Sequence, residues 1–245
     1  MKILKEFYLK DKCSYLDNKK QNLHYTMIDN CTSQHCNELV ERGYRRFGKM
    51  FFRPICSDCD ECKSIKIDVE NFNFSKSMRR VIKKASNIQS YIQKPTLTKE
   101  HLTLFKKYHL FMKDKKGWKY NETSPNHYYD SFVTGDNEFG YEILYFDNDK
   151  LIGVDLVDIL DNGISSIYFY YDPDYMNYSL GKLSMYNQIL IAKNHNLKWI
   201  YLGYYVKDCP SLSYKSHYKP YVTLDGRPTL DEDYIYTDKQ DYKKE

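Results

Sequence analysis

The chain has 245 residues, 37 Lys and Arg against 33 Asp and Glu, and a mean hydropathy of -0.72. It is long enough to bury a core as one large domain or two small ones, and no apolar run is long enough to cross a membrane. Glu6 and Asp11 fall where a signal peptide would need an apolar core, so the expected location is cytoplasmic, and seven cysteines then point to free thiols or metal ligands rather than a disulfide framework.

Taken in order, KILKEFYL alternates roughly in polarity and predicts an edge strand or extended arm. A loop rich in Asn and Lys follows Cys13 and Tyr15. Ser33 is a candidate N-cap for a short helix carrying Cys36, Leu39 and Val40 inward, with Gly43 as its stop. That helix delivers Arg45 and Arg46 to an extended run, Met50 to Arg53, which enters Pro54. SIKIDV is a strand by its alternation of Ile65, Ile67 and Val69, and Ser75 opens a helix with Met78, Val81 and Ile82 on one side and Arg79, Arg80, Lys83 and Lys84 on the other. A strand around Ile88 to Ile92 ends at Pro95, where the composition changes and a domain seam is expected.

Beyond it, Thr98 caps a helix through Leu102, Phe105, Tyr108 and Phe111, and Pro125 begins another. Three strands, Tyr141 to Phe146, Leu151 to Leu160 and Ser165 to Tyr171, are separated by DNDK and DNG turns. A loop with Ser179 and Gly181 leads into a long helix and then the strand LKWIYLGYYV. Residues 231–245 lack apolar periodicity and predict a frayed tail. This order of meander, loop, long helix and strand is that of an acyltransferase core of the GNAT type, where the loop before the helix offers amides to a phosphate-bearing donor. The expected fold is therefore α+β, with a small N-terminal domain bearing cysteines and arginines over residues 1–95 and a GNAT-like transferase domain over 96–230.

Two clusters carry chemistry. Arg42, Arg45, Arg46, Arg53, Arg79 and Arg80 are six of the seven arginines, and a rigid two-pronged fork suits phosphate or carboxylate, with nucleic acid the first candidate partner. RPICSDCDEC places Cys56, Cys59 and Cys62 at intervals of three, and Cys13 is available as a fourth thiolate, a donor set suited to zinc or an iron–sulfur cluster. The competing reading is a tight loop packed by small thiols. Cys31, Cys36 and Cys209 read as packing residues.

CSYL at Cys13, RGYRRFG at Arg42, RPICSDCDEC at Arg53, FSKSMRR ending at Arg80, YFYYDPDY at Tyr168, SLG at Ser179, WIYLGYYV at Trp199 and YKSHYKP at Tyr214 occur in one order along residues 8–228. In that order and spacing the chain resembles the arginyl-tRNA/protein transferase family, and most of all its short bacterial branch of aspartate/glutamate leucyltransferases. It departs from the family where Leu16 replaces the second cysteine of a CxxC and where CxKMxYK reads Cys209 to Lys215 without the Lys-Met pair.

The resemblance implies transfer of an aminoacyl group from a charged tRNA to proteins or peptides with N-terminal Asp or Glu, marking them for degradation by the N-degron route, with no membrane partner. An activated ester and an amine nucleophile require no cofactor, only positioning, a mild base and donors for the developing oxyanion. Tyr168, Tyr170, Asp172, Tyr214 and Lys215 are the candidates for the reaction cleft. Arg45, Arg46, Arg53, Arg79, Arg80, Ser179 and Gly181 are candidates for tRNA or substrate binding, with Arg45, Arg46 and Arg53 those for the acceptor carboxylate. Leucine as donor follows the bacterial branch; arginine as donor, a non-catalytic RNA-binding module and an acetyl-CoA-dependent transferase stay open at this point.

Overall fold

A computed structural model describes residues 1–135 and 138–238. The chain begins with a long hairpin, β1 (Lys2–Lys12) and β2 (Lys20–Asp29), followed by α1 (Ser33–Glu41), β3 (Arg45–Phe47) and β4 (Met50–Pro54). These strands pair antiparallel in the order β1-β2-β4-β3, so β1 is an edge, as its alternation predicts. Thr32 rather than Ser33 caps α1, its hydroxyl accepting from the His35 amide. Cys36, Leu39 and Val40 turn inward onto Phe51, Phe139 and Tyr201.

Next come β5 (Lys63–Asp68), α2 (Lys76–Lys84), β6 (Ile88–Gln93), α3 (Lys99–Lys116), α4 (Pro125–Tyr128), β7 (Gly140–Asp147), β8 (Lys150–Ile159), β9 (Gly163–Tyr171), α5 (Leu180–Asn194), β10 (Trp199–Tyr205), α6 (Pro210–Ser213), β11 (Tyr221–Leu224) and β12 (Tyr236–Thr237). All these strands join one sheet in the order β12-β11-β5-β10-β9-β8-β7-β6. Ser75, Thr98 and Ser124 cap α2, α3 and α4, and Pro125 takes the first position of α4, where a missing N–H costs nothing.

The large sheet crosses Pro95. β5 and β6 precede it and the other strands follow, so the change of composition there does not separate two sheets. The reason lies in SIKIDV. Ser64 to Ile67 are buried on both faces, which fits an interior strand between β10 and β11 rather than the half-exposed strand of a small domain. In the expected tail, Tyr236 and Thr237 pair with β11 and the Tyr236 hydroxyl donates to the Glu41 carbonyl; residues 239–245 lie outside the described residues.

One face of the large sheet is covered by α5 and α2, whose Leu183, Ile189, Met78 and Val81 pack on Ile65, Ile143 and Ile200. The other face receives α3 and α4 through Phe105, Tyr108 and Tyr128. Buried polar contacts also tie α5 down: Asp155 of β8 accepts from Ser184 at 2.6 Å and Gln188 at 2.9 Å. Burial pushes that carboxyl up to about 7.

Candidate active site

β9 and β10 are the one parallel pair in the described sheet, connected through α5, and their pairing stops early. The register runs from Gly163 opposite Trp199 to Ser165 opposite Tyr201 and no further. On its other side β10 loses register with β5 between Tyr201 and Tyr204, and Gly203 within that gap adopts φ +74, a left-handed conformation that favours glycine. The two strands therefore open toward their carboxyl ends, which is where ligands bind in open parallel sheets.

Arg45, the first residue of β3, fills the opening. Its guanidinium donates to Ser165 Oγ at 3.3 Å and to the carbonyl of Ser166, one residue beyond the end of the β9–β10 register. It passes so close to Gly203 that a Cβ there would sit 2.7 Å from its Nε. From the other side Lys215 donates to the Tyr204 carbonyl at 2.7 Å. Burial lowers the Lys215 ammonium to about 7, and the Arg45 charge adds to the shift. Burial also lowers Arg45. Two desolvated cations thus share the opening, and both hold neutral oxygens. The carboxylate of Asp158, whose charge reaches Arg45, is taken by another residue.

That residue is Arg46, and here the arginine-rich stretch divides. Arg46 forms a buried two-pronged pair with Asp158, at 2.9 Å and 2.5 Å, and also donates to the Gly48 carbonyl at 2.7 Å. Arg53 lies over the Tyr44 ring and donates to the carbonyls of Pro228 and Arg42. Arg42 holds the carbonyls of Thr229, Leu230 and Glu232. The fork that suits phosphate suits clusters of carbonyls equally well, and Arg42, Arg45, Arg46 and Arg53 all use it on groups of the protein itself. Arg79 and Arg80 are exposed on α2.

Beside the opening lies a pocket of about 570 Å³, lined by Tyr171, Ser179, Gly181, Lys182, Tyr214 and His217 among others. Its floor is the start of α5. Ser179 sits at the N-cap with φ +56 and makes no side-chain cap, so the Leu180 and Gly181 amides lack a capping side chain, while the Lys182 amide donates to the Ser179 carbonyl at 2.8 Å. Gly181 adds no bulk, since a Cβ there would meet nothing within 4 Å. Tyr214 lines this pocket while its neighbour Lys215 reaches the strand opening, so consecutive residues connect the two.

The remaining predicted cleft residues lie elsewhere. Tyr170 is fully buried, its hydroxyl 2.6 Å from that of Tyr128. Tyr168 is on the same face of β9, stacked on Phe132 and bonded to His109 Nε2 at 2.9 Å. Burial raises Asp172, but hydrogen bonds from Lys107 and Lys150 outweigh it and hold the carboxyl below its usual range; those pairs are 2.5 Å and 2.9 Å long. The pocket is instead reached by Tyr171, one residue out of phase, and by His217 and Tyr218. Strand alternation within YFYYDPDY separates Tyr168 and Tyr170 from Tyr171 but leaves open which face carries the site.

The four thiols are neighbours without converging. Cys56 Sγ is engaged with the Asn22 backbone, accepting from its amide at 3.3 Å, and Cys13 Sγ accepts from the Tyr15 amide at 3.5 Å. Burial, reinforced by Cys13, Cys56 and Cys59, pushes the Cys62 thiol up to about 12. Among the described residues no three His, Cys, Asp or Glu side chains are placed to hold a metal ion, and the expected ligand set does not fit as arranged. The loop is fastened from outside, Arg227 donating to the carbonyls of Cys56 and Cys59. Cys31, Cys36 and Cys209 are buried packing residues.

Comparison with known proteins identifies the family. The family described as arginine-tRNA-protein transferase matches through its N-terminal part over residues 11–80 and its C-terminal part over residues 100–225. An aspartate/glutamate leucyltransferase of Campylobacter jejuni is 51% identical over 231 residues, covering 94% of this chain and 97% of the relative. Proteins of the same name from Helicobacter hepaticus and Saccharophagus degradans are 46% and 34% identical, over 93% and 85% of this chain and 95% and 88% of theirs. Among solved structures, FemX overlays with a TM-score of 0.45 at 8% identity, over 81% of this chain and 79% of that one. The chain belongs to the arginine-tRNA-protein transferase family, in its bacterial leucyltransferase branch, and is an aminoacyltransferase.

Proposed function

We propose that the protein transfers leucine from leucyl-tRNA to the α-amine of proteins beginning with Asp or Glu, in the cytoplasm, as the tagging step of an N-degron route. The observation that carries this reading is the adjacency of two unlike sites. One is the tyrosine-walled pocket over the uncapped start of α5. The other is the strand opening with Arg45 and Lys215.

The pocket takes the 3′ end of the charged tRNA, with base or ribose against Tyr171 and Tyr214 and the α5 amides on an ester or phosphate oxygen. The acceptor enters at the opening. Arg45 keeps its charge at any working pH, so it reads the side-chain carboxylate, whereas Lys215 titrates near neutrality and takes the proton released as the amine attacks. The Arg45 charge also favours the neutral, nucleophilic form of an α-amine whose ordinary pKa is about 7.7–8.0. The amine nitrogen bonds to the ester carbonyl, the tetrahedral oxyanion collapses, and the tRNA 3′ oxygen leaves with a proton. No step needs a metal.

In this reading the opening between β9 and β10 is that of a GNAT-like core, with β1 to β4 and α1 as the smaller unit that delivers Arg45 into it. Hydrogen exchange tests the donor half. A non-hydrolysable 3′-leucylamido adenosine should slow exchange of the amides at residues 180–181 several-fold, and protection elsewhere with none there would remove the pocket from donor binding.

A further inference from the structure

The β1–β2 hairpin carries charge that neither the fold nor the reaction site uses. Lys12 and Lys20 stand directly opposite each other across the hairpin, an arrangement of like charges that weakens a strand pair. Lys10 lies two residues along the same face, opposite Asn22, and Tyr8 two further, 64% exposed and stacked on His24. Lys10, Lys12, Lys19 and Lys20, with Asn18 and Gln21, line a groove of about 1220 Å³ whose opposite wall is the loop Cys56–Cys59. Its acids are Asp11 and Asp58, and Asp11 accepts from the Lys12 amide. The lysines paired to carboxylates among the described residues are others: Lys49, Lys63, Lys66, Lys106, Lys107 and Lys150.

We infer that this groove is a docking surface for the sugar-phosphate backbone of the donor tRNA, with Tyr8 packing beside it on a base or ribose, an inference that rests on the function proposed above. Charge complementarity selects the partner: a line of unpaired ammonium groups at strand spacing matches a phosphate chain, and lysine serves as a sequence-independent point charge. Continuity selects its place. The wall cysteines adjoin Cys62, which is close enough to Lys215 to perturb it, so an RNA lying in the groove runs toward the reaction site. The cysteine loop, held by Arg227, thereby gains a role as the groove's rigid wall.

The test is the fourfold substitution Lys10→Gln, Lys12→Gln, Lys19→Gln and Lys20→Gln in the full chain. Its Tm should equal or exceed the wild type, because the opposed Lys12 and Lys20 charges are gone. Affinity for uncharged tRNA, measured by anisotropy across salt concentrations, should fall at least about tenfold at low salt, and the slope of log K against log salt should flatten by about 2–4. Transfer from leucyl-tRNA should fall in kcat/KM while transfer from a leucylated CCA trinucleotide stays within about twofold. Unchanged tRNA affinity and slope, or equal losses with both donors, would overturn the inference. So would loss of binding to anionic vesicles with tRNA binding intact, which would assign the groove to a lipid surface. If the wild type transferred from neither donor, the proposed function would fail while the tRNA binding curves still decided the groove.

Discussion

Replacing Arg45 by Ala removes the one arginine of the stretch between Arg42 and Arg53 whose fork is committed only to a serine hydroxyl and a serine carbonyl. A charge-assisted hydrogen bond to a carboxylate contributes about 1.5–3 kcal/mol, which at 1.4 kcal/mol per decade is roughly 10–150-fold in kcat/KM. The prediction is a ratio. Wild-type enzyme should prefer a peptide beginning with Asp to one beginning with Asn by that factor, and Arg45→Ala should erase the preference. Arg45→Lys, which keeps the charge and loses the fork, should fall between. The assay is initial-rate transfer of labelled leucine to paired Asp and Asn peptides, with circular dichroism confirming the fold. If Arg45→Ala slows both peptides equally and leaves the ratio intact, Arg45 supports the strand opening and does not read the acceptor.

Asp158→Ala should destabilise the protein by about 3–5 kcal/mol, because it leaves the buried Arg46 guanidinium without its counter-charge, and calorimetry should show Tm falling by roughly 10 °C. Gly203→Ala places a side chain at φ +74 and 2.7 Å from Arg45 Nε; about 1–2 kcal/mol of strain should cost only a few degrees, while transfer to Asp peptides falls about tenfold, and equal effects on Asn peptides would contradict the displacement of Arg45. Lys215 is depressed from 10.5 to about 7 on folding, so below pH 7 the fold bears the full cost of its buried charge, and between pH 7 and 10.5 the unfolded chain binds more protons. Stability therefore gains a contribution as pH rises through that window. Lys215→Met should flatten the rise in denaturant titrations and lower kcat by about 10²-fold or more, and an unaltered pH dependence would place the ammonium in water.

Much of the fold is legible because it rests on local signals. Caps at Ser75 and Thr98, Pro125 at a helix start and the turns between β7, β8 and β9 are short-range chemistry. That one sheet runs across Pro95 is not legible because sheet membership is a long-range matter: nothing in SIKIDV says that its neighbours are β10 and β11. The site divides in the same way. Ser179, Gly181 and Tyr214 line one pocket, and Lys215 and Arg45 hold the carbonyls of Tyr204 and Ser166 at the strand opening. Arg46, Arg53 and Arg42 are indistinguishable from Arg45 in sequence, because a guanidinium aimed at Asp158 or at a row of carbonyls is the same residue type as one aimed at substrate. The engagement of Tyr170 and Asp172 with other side chains is hidden for a related reason. A tyrosine whose partner is Tyr128 and a carboxylate taken by Lys107 and Lys150 owe their roles to residues far away in the chain.

The central claim is best tested by transfer itself. Purified protein is mixed with radiolabelled leucyl-tRNA or arginyl-tRNA and with peptides beginning in Asp, Glu or Lys. Label on the Asp and Glu peptides from leucyl-tRNA, with none on the Lys peptide, is the predicted result. Label from arginyl-tRNA alone would reassign the donor, and tRNA binding with no label from either would contradict the account.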